Sequence, residues 1–146
     1  MSEPFDTKTP TGVIHYGGPC QDDYDNMQIY DQPPEGSSPI KLQEAALLAF
    51  RAAERAYGEA TGRPKGDRPI KLTGSWRSCA HQAELFAGDS KRFADPDVTG
   101  HCRGIAIDVS TAVPNQDIIA QCLSDSGWTQ TRPDDEPWHW SYGVTV

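Results

Sequence analysis

Across residues 103–110 the chain alternates without a break. Ile105, Ile107 and Val109 stand in one register, and Gly104, Ala106, Asp108 and Ser110 in the other. A period of two puts the branched residues on one face of a β-strand and the small or polar ones on the opposite face. Such a strand needs an apolar layer over its isoleucine side. On the other side it carries one carboxylate among small neighbours, which leave room above the sheet.

The covering layer is available nearby. Leu42, Ala46, Ala49, Phe50, Ala53 and Tyr57 recur at helical spacing and predict a helix over 39–57. Ser38 is placed to cap it, Pro39 to open its first turn, and Gly58 or Gly62 to end it. A second helix is expected over 79–87, between Ser78 as cap and Gly88. A third begins after Asn115, turns Ile118, Ile119, Cys122 and Leu123 to the core, and stops at Gly127. Further strands are expected at 68–74, 128–131 and 137–142, with 89–100 as a polar loop. This order predicts an α+β fold, a small, mainly antiparallel sheet with helices packed on it. With 146 residues the chain fits one domain. Residues 1–38, rich in proline, glycine and acids, are expected to be an extension packed on it, with a short strand at 11–16; residues 39–146 form the domain proper.

Charge narrows the partners. With 21 acids against 13 bases the formal net charge is -8, which argues against nucleic acid and against docking to anionic membranes. No stretch approaches the about 18 apolar residues of a membrane span. The start, MSEPFDTKTP, lacks the basic and apolar regions of a secretory signal. Synthesis in the cytoplasm is therefore expected, and a monomer. Cys20, Cys79, Cys102 and Cys122 lack the close pairs of a zinc finger. Their even number permits disulfides, one between Cys79 and Cys102 among them, and equally permits separate thiols.

Two stretches carry chemistry, Thr99-Gly-His-Cys-Arg-Gly-Ile-Ala-Ile-Asp108 and Glu136-Pro-Trp-His139. A catalytic zinc takes three nitrogen, oxygen or sulfur ligands and keeps a fourth position for water. His101, Asp108 and His139 form such a set, provided the last strand neighbours the Asp108 strand. Two imidazoles and one carboxylate leave the ion a net positive charge, which acidifies water and polarises a carbonyl. Glu136, three residues before His139, stands where a general base would serve without ligating the metal. His15 and His81 lack such company and read as surface or packing residues.

This pattern resembles the zinc peptidase family of D-alanyl-D-alanine carboxypeptidases and dipeptidases, the VanY and VanX type. Their superfamily includes lysostaphin-type enzymes, phage endolysins and the hedgehog signalling domain. Gly74-Ser-Trp-Arg-Ser78 resembles the family's Gly-Tyr-Arg-Ser stretch, His101-Cys-Arg-Gly-Ile-Ala-Ile-Asp108 its His-x-x-Gly-x-Ala-x-Asp, and Gly127-Trp128 its Gly-Phe or Gly-Trp. The likeness covers about residues 40–143. It implies zinc on His101, Asp108 and His139, with Glu136 as catalytic base. It implies that Arg77 stabilises the oxyanion or holds a substrate carboxylate, and that Trp138, Gln82 and Thr99 meet the substrate. The substrate implied is the stem peptide of peptidoglycan. It would be trimmed at terminal D-alanine, or cut inside the stem by an endolysin between L-alanine and D-glutamate. Such an enzyme would reach the wall with a holin's help, or by a leader that is not part of this sequence. The competing expectation is a non-catalytic zinc module of the same fold that binds the cell wall or another partner. Glu136 speaks against it, because a closed structural zinc site has no use for a base.

Overall fold

The computed structural model describes residues 27–30, 36–64, 69–92 and 100–143. Among them the chain runs β1 (Met27–Tyr30), β2 (Ile40–Gln43), α1 (Glu44–Ala60), β3 (Leu72–Gly74), α2 (Cys79–Gly88), α3 (Gly100–Arg103), β4 (Ala106–Val109), α4 (Gln116–Asp125), β5 (Trp128–Thr129) and β6 (His139–Tyr142). Strands β3, β4, β6 and β5 lie in that order in one sheet, and every neighbouring pair is antiparallel. Strands β1 and β2 form a separate antiparallel ribbon. The fold is α+β with a small antiparallel sheet, as the element order predicts.

The alternation of residues 103–110 divides the sheet into two faces. Ile105, Ile107 and Val109 point into one apolar cluster, joined from β6 by Trp140 and Tyr142. Helix α1 covers them with Ala46, Leu47, Phe50, Ala53 and Tyr57, and α4 with Ile119, Cys122 and Leu123. The Tyr57 hydroxyl donates to the Pro114 carbonyl at 2.6 Å, which ties the end of α1 to the segment leading into α4. Gln43, the residue before helix α1, gives it no side-chain cap. A missing cap costs about 1 kcal/mol. Full burial of Phe50 is worth roughly 1.5–3 kcal/mol and more than offsets it.

Several boundaries differ from the expected ones. The helix predicted over 39–57 begins only at Glu44, because Ile40–Gln43 pairs as a strand with Met27–Tyr30. Ser38 is therefore no helix cap; its N–H donates to Leu72 O at 2.8 Å. Among the described residues the strand expected at 68–74 is only Leu72–Gly74, and that at 137–142 only His139–Tyr142. The strand expected from residue 103 starts at Ala106, since 100–103 form a helical turn and Gly104 leaves it at φ 74°. That turn replaces the end of the expected 89–100 loop. All four residues of β4 are buried, so the polar face is covered rather than open. Asn115 stands at the start of α4 in the left-handed region, φ 59°, without a capping side-chain bond. Ser78 does cap α2, its hydroxyl accepting from His81 N at 3.1 Å. The strand expected at 11–16 lies outside the described residues.

Candidate metal centre

Two neighbouring strands and one helical turn bring the site together. In the β4–β6 ladder Asp108 stands directly opposite His139. Directly paired residues project to the same side of a sheet. Trp140 turns to the core, so His139 turns away from it, to the face that carries Asp108. His101 comes from α3. Gln43 braces the turn that carries it: the Gln43 side chain donates to Arg103 O at 2.8 Å, and its backbone N–H to Gly104 O at 2.9 Å. Both contacts are made from the start of α1.

The three side chains converge. One ligand atom from each of His101, Asp108 and His139 lies within 4.8 Å of the others, and all three residues are buried. His101 Nε2 is 3.3 Å and His139 Nδ1 3.0 Å from the same carboxylate oxygen, Asp108 Oδ1. The two imidazole centroids are 5.0 Å apart. A tetrahedral ion with bonds of about 2.1 Å would set its ligands about 3.4 Å apart, close to these separations.

Proton placement decides what fits between them. His101 Nδ1 lies 2.7 Å from the Ser75 carbonyl. A carbonyl only accepts, so Nδ1 carries the proton and donates it. In a neutral ring Nε2 then bears a lone pair, and it faces a carboxylate oxygen. Two acceptors at 3.3 Å repel unless a proton or a metal cation lies between them. Burial lowers the His101 pKa, against the opposing pull of Asp108, and so disfavours the proton. Burial alone would raise the Asp108 carboxyl. When the two rings carry protons toward it, their hydrogen bonds and charges outweigh burial and hold it well below the usual carboxylate range. An ionised carboxylate facing imidazole lone pairs is the donor set that a divalent zinc ion fits.

The other oxygen, Asp108 Oδ2, receives a charge-assisted bond from Arg77 Nη2 at 3.2 Å. Arg77 Nη1 donates to Gln82 Oε1 at 3.2 Å, and Gln82 is buried. Two residues expected at the substrate site thus meet beside the ligand set, with Gln82 bracing the arginine. Glu136 is half-buried. Its carboxylate pairs with Arg132 at 3.0 Å, and its carbonyl accepts from His139 N at 3.0 Å. Trp138 is half-buried and its carbonyl accepts from Val109 N at 2.9 Å. Thr99 and His15 lie outside the described residues. His81 is exposed. Cys102 is buried beside His101 but is not among the converging ligands. Cys79 is disulfide-bonded and Cys102 is in no disulfide, so a Cys79–Cys102 pair is not formed.

Sequence reasoning missed Ser75, Gln43 and Ser141. Ser75 is buried; its hydroxyl accepts from Lys41 N and donates to Pro39 O, both at 3.0 Å, while its carbonyl holds His101. No motif marks a main-chain carbonyl. Ser141 had a readable signal, since the residue two beyond His139 on a strand shares its face.

A helix-covered antiparallel sheet of this kind is an arrangement that known peptidases share. One solved structure, of the LdcB LD-carboxypeptidase, described as revealing the molecular basis of peptidoglycan recognition, superposes with a TM-score of 0.68. It is 16% identical, over 92% of this chain and 78% of that one. A second, the vancomycin-resistance D,D-dipeptidase VanXYg in complex with a D-Ala-D-Ala phosphinate analogue, gives a TM-score of 0.51. It is 19% identical, over 70% of this chain and 51% of that one, so this chain spans about half its length. The fold is that of these peptidases, in agreement with the resemblance read from the sequence. No protein-family model matches the chain, and no curated protein matches it in sequence.

Proposed function

We propose that the chain is a zinc-dependent peptidase that hydrolyses the stem peptide of peptidoglycan, as a carboxypeptidase at a terminal D-alanine or as an endopeptidase of the endolysin kind. The observation that carries this is the conflict between His101 Nε2 and Asp108 Oδ1, two acceptors facing each other at 3.3 Å in a buried site. The fold shared with an LD-carboxypeptidase and a D,D-dipeptidase supports the choice of substrate.

In this reading His101, Asp108 and His139 hold the zinc, which when bound supplies a Lewis acid against the scissile carbonyl. Glu136 takes a proton from the attacking water and returns it to the leaving amine. For this its carboxylate leaves Arg132, a partly exposed ion pair of the kind worth little, about 0–1 kcal/mol. Arg77, held by Gln82, steadies the oxyanion or a substrate carboxylate with the donors that Asp108 does not use. Trp138 lines the substrate path.

The test is digestion of purified peptidoglycan with mass spectrometry of the fragments. Wild type is expected to release peptide fragments, a strong chelator to stop it, and zinc to restore it. Glu136→Gln is expected to keep fold and zinc and to lose hydrolysis by about 100-fold or more. Full activity in the chelator sinks the metal reading. Zinc binding with intact stem peptides favours the non-catalytic binding module instead.

A further inference from the structure

Each converging side chain leans on one further group, and the three groups differ in kind. His101 has a main-chain carbonyl, Ser75 O, at 2.7 Å. Asp108 has a guanidinium, Arg77 Nη2, at 3.2 Å. His139 has a hydroxyl: Ser141 Oγ lies 3.4 Å from its Nε2, and both residues are buried. We propose that Ser141 is a positioning residue for the metal centre, whose hydroxyl accepts a hydrogen bond from His139 Nε2–H and so turns a bare Nδ1 toward the ion. The proposal rests on the zinc reading above.

A neutral imidazole has one proton and two places for it. His139 Nδ1 faces the ionised Asp108 Oδ1 at 3.0 Å. With no partner for Nε2, the proton settles on Nδ1, between ring and carboxylate, and blocks the atom that would ligate. An acceptor at Nε2 pulls the balance the other way. Ser141 is placed for this by the strand period, two residues beyond His139 on the same face of β6. Opposite it on β4 stands Ala106, whose methyl offers the ring no competing polar atom. Partners of this kind fix the ring orientation and tautomer of metal-bound histidines, and their loss typically costs 10–100-fold in metal affinity. A separation of 3.4 Å is at the long end for a hydrogen bond, which sets the expectation near tenfold.

The experiment measures the zinc dissociation constant of the full chain by competition with a chromogenic chelator, beside thermal unfolding of the metal-free protein. Ser141→Ala is expected to bind zinc about tenfold more weakly, with metal-free unfolding close to wild type. Ser141→Thr and Ser141→Val are of similar size and differ in the hydroxyl. Thr is expected to bind near wild type and Val as weakly as Ala, so this pair decides the matter even if the alanine variant folds poorly. Ala and Val binding as tightly as wild type overturns the proposal, and so does Thr binding as weakly as Val. Wild-type protein that takes up no zinc overturns the metal reading itself, a separate failure seen before any variant is made.

Discussion

A methyl group built on Gly74 would lie 3.1 Å from Arg77 Nη2 and 3.3 Å from Asp108 Oδ2, closer than such atoms settle. Gly74 pairs with Asp108 in the β3–β4 ladder, so the arginine reaches its carboxylate across bare backbone. The obstacle is the end of a flexible side chain, which can shift by a few tenths of an ångström. Gly74→Ala is therefore expected to lower stability by only about 1 kcal/mol. On the proposed role of Arg77, peptide hydrolysis is expected to fall by about tenfold, because the guanidinium is displaced. Unchanged kinetics would show that the arginine's placement does not matter. At this scale the convergence of three side chains was legible. His101, Asp108 and His139 are reactive residue types whose spacing fits a strand and its neighbour. The Ser75 carbonyl was not legible, because every residue has one. Gln43 was hidden too: its partners lie 60 residues away, and its own position reads as helix.

Among the elements, α2 is the one whose start was written locally. Ser78 accepts from His81 N at 3.1 Å, one of the N–H groups that a helix leaves unpaired at its first turn. Ser78→Ala is expected to cost about 0.5–2 kcal/mol in chemical denaturation, and Ser78→Asp much less. Equal stability of the alanine variant would remove the cap from the account. This helix also carries Gln82, the brace of Arg77, so fraying its first turn is expected to weaken activity along with stability. Helix α1 shows the opposite case. Ser38 and Pro39 look like a helix start, yet Ile40–Gln43 pairs as a strand with Met27–Tyr30. Long-range pairing overrode local propensity, as it does where a short apolar run suits either structure. The apolar stripe of Phe50, Ala53 and Tyr57 was legible because a 3.6-residue period depends on no distant partner.

Taken as a whole, the metal-free protein is built to fail in acid. His101 is buried with its pKa below the ordinary 6.5, so below that pH the unfolded chain binds a proton that the folded chain does not. Its contribution is complete above 6.5 and is lost as pH falls toward the folded value. Asp108, also lowered, contributes above its ordinary 3.8 and loses that contribution in stronger acid. The melting temperature of chelator-treated protein is thus expected to fall steadily from pH 6.5 downward. A melting temperature that rises into acid would contradict the burial assigned to His101. Added zinc is expected to raise it at neutral pH, since an ion that binds only the folded chain stabilises it. Overall architecture was the most legible level of all. A two-residue alternation and one helical stripe implied a covered sheet, and a few inward-facing positions fix that arrangement.

The grip on His101 has one more consequence. Its anchor is the peptide bond of residue 75, not that residue's side chain, so replacing the serine leaves the anchor in place wherever the backbone keeps its path. A fixture of this sort has no letter in the alphabet of side chains. A backbone that keeps its path can hold the same ring in the same pose beneath many different side chains.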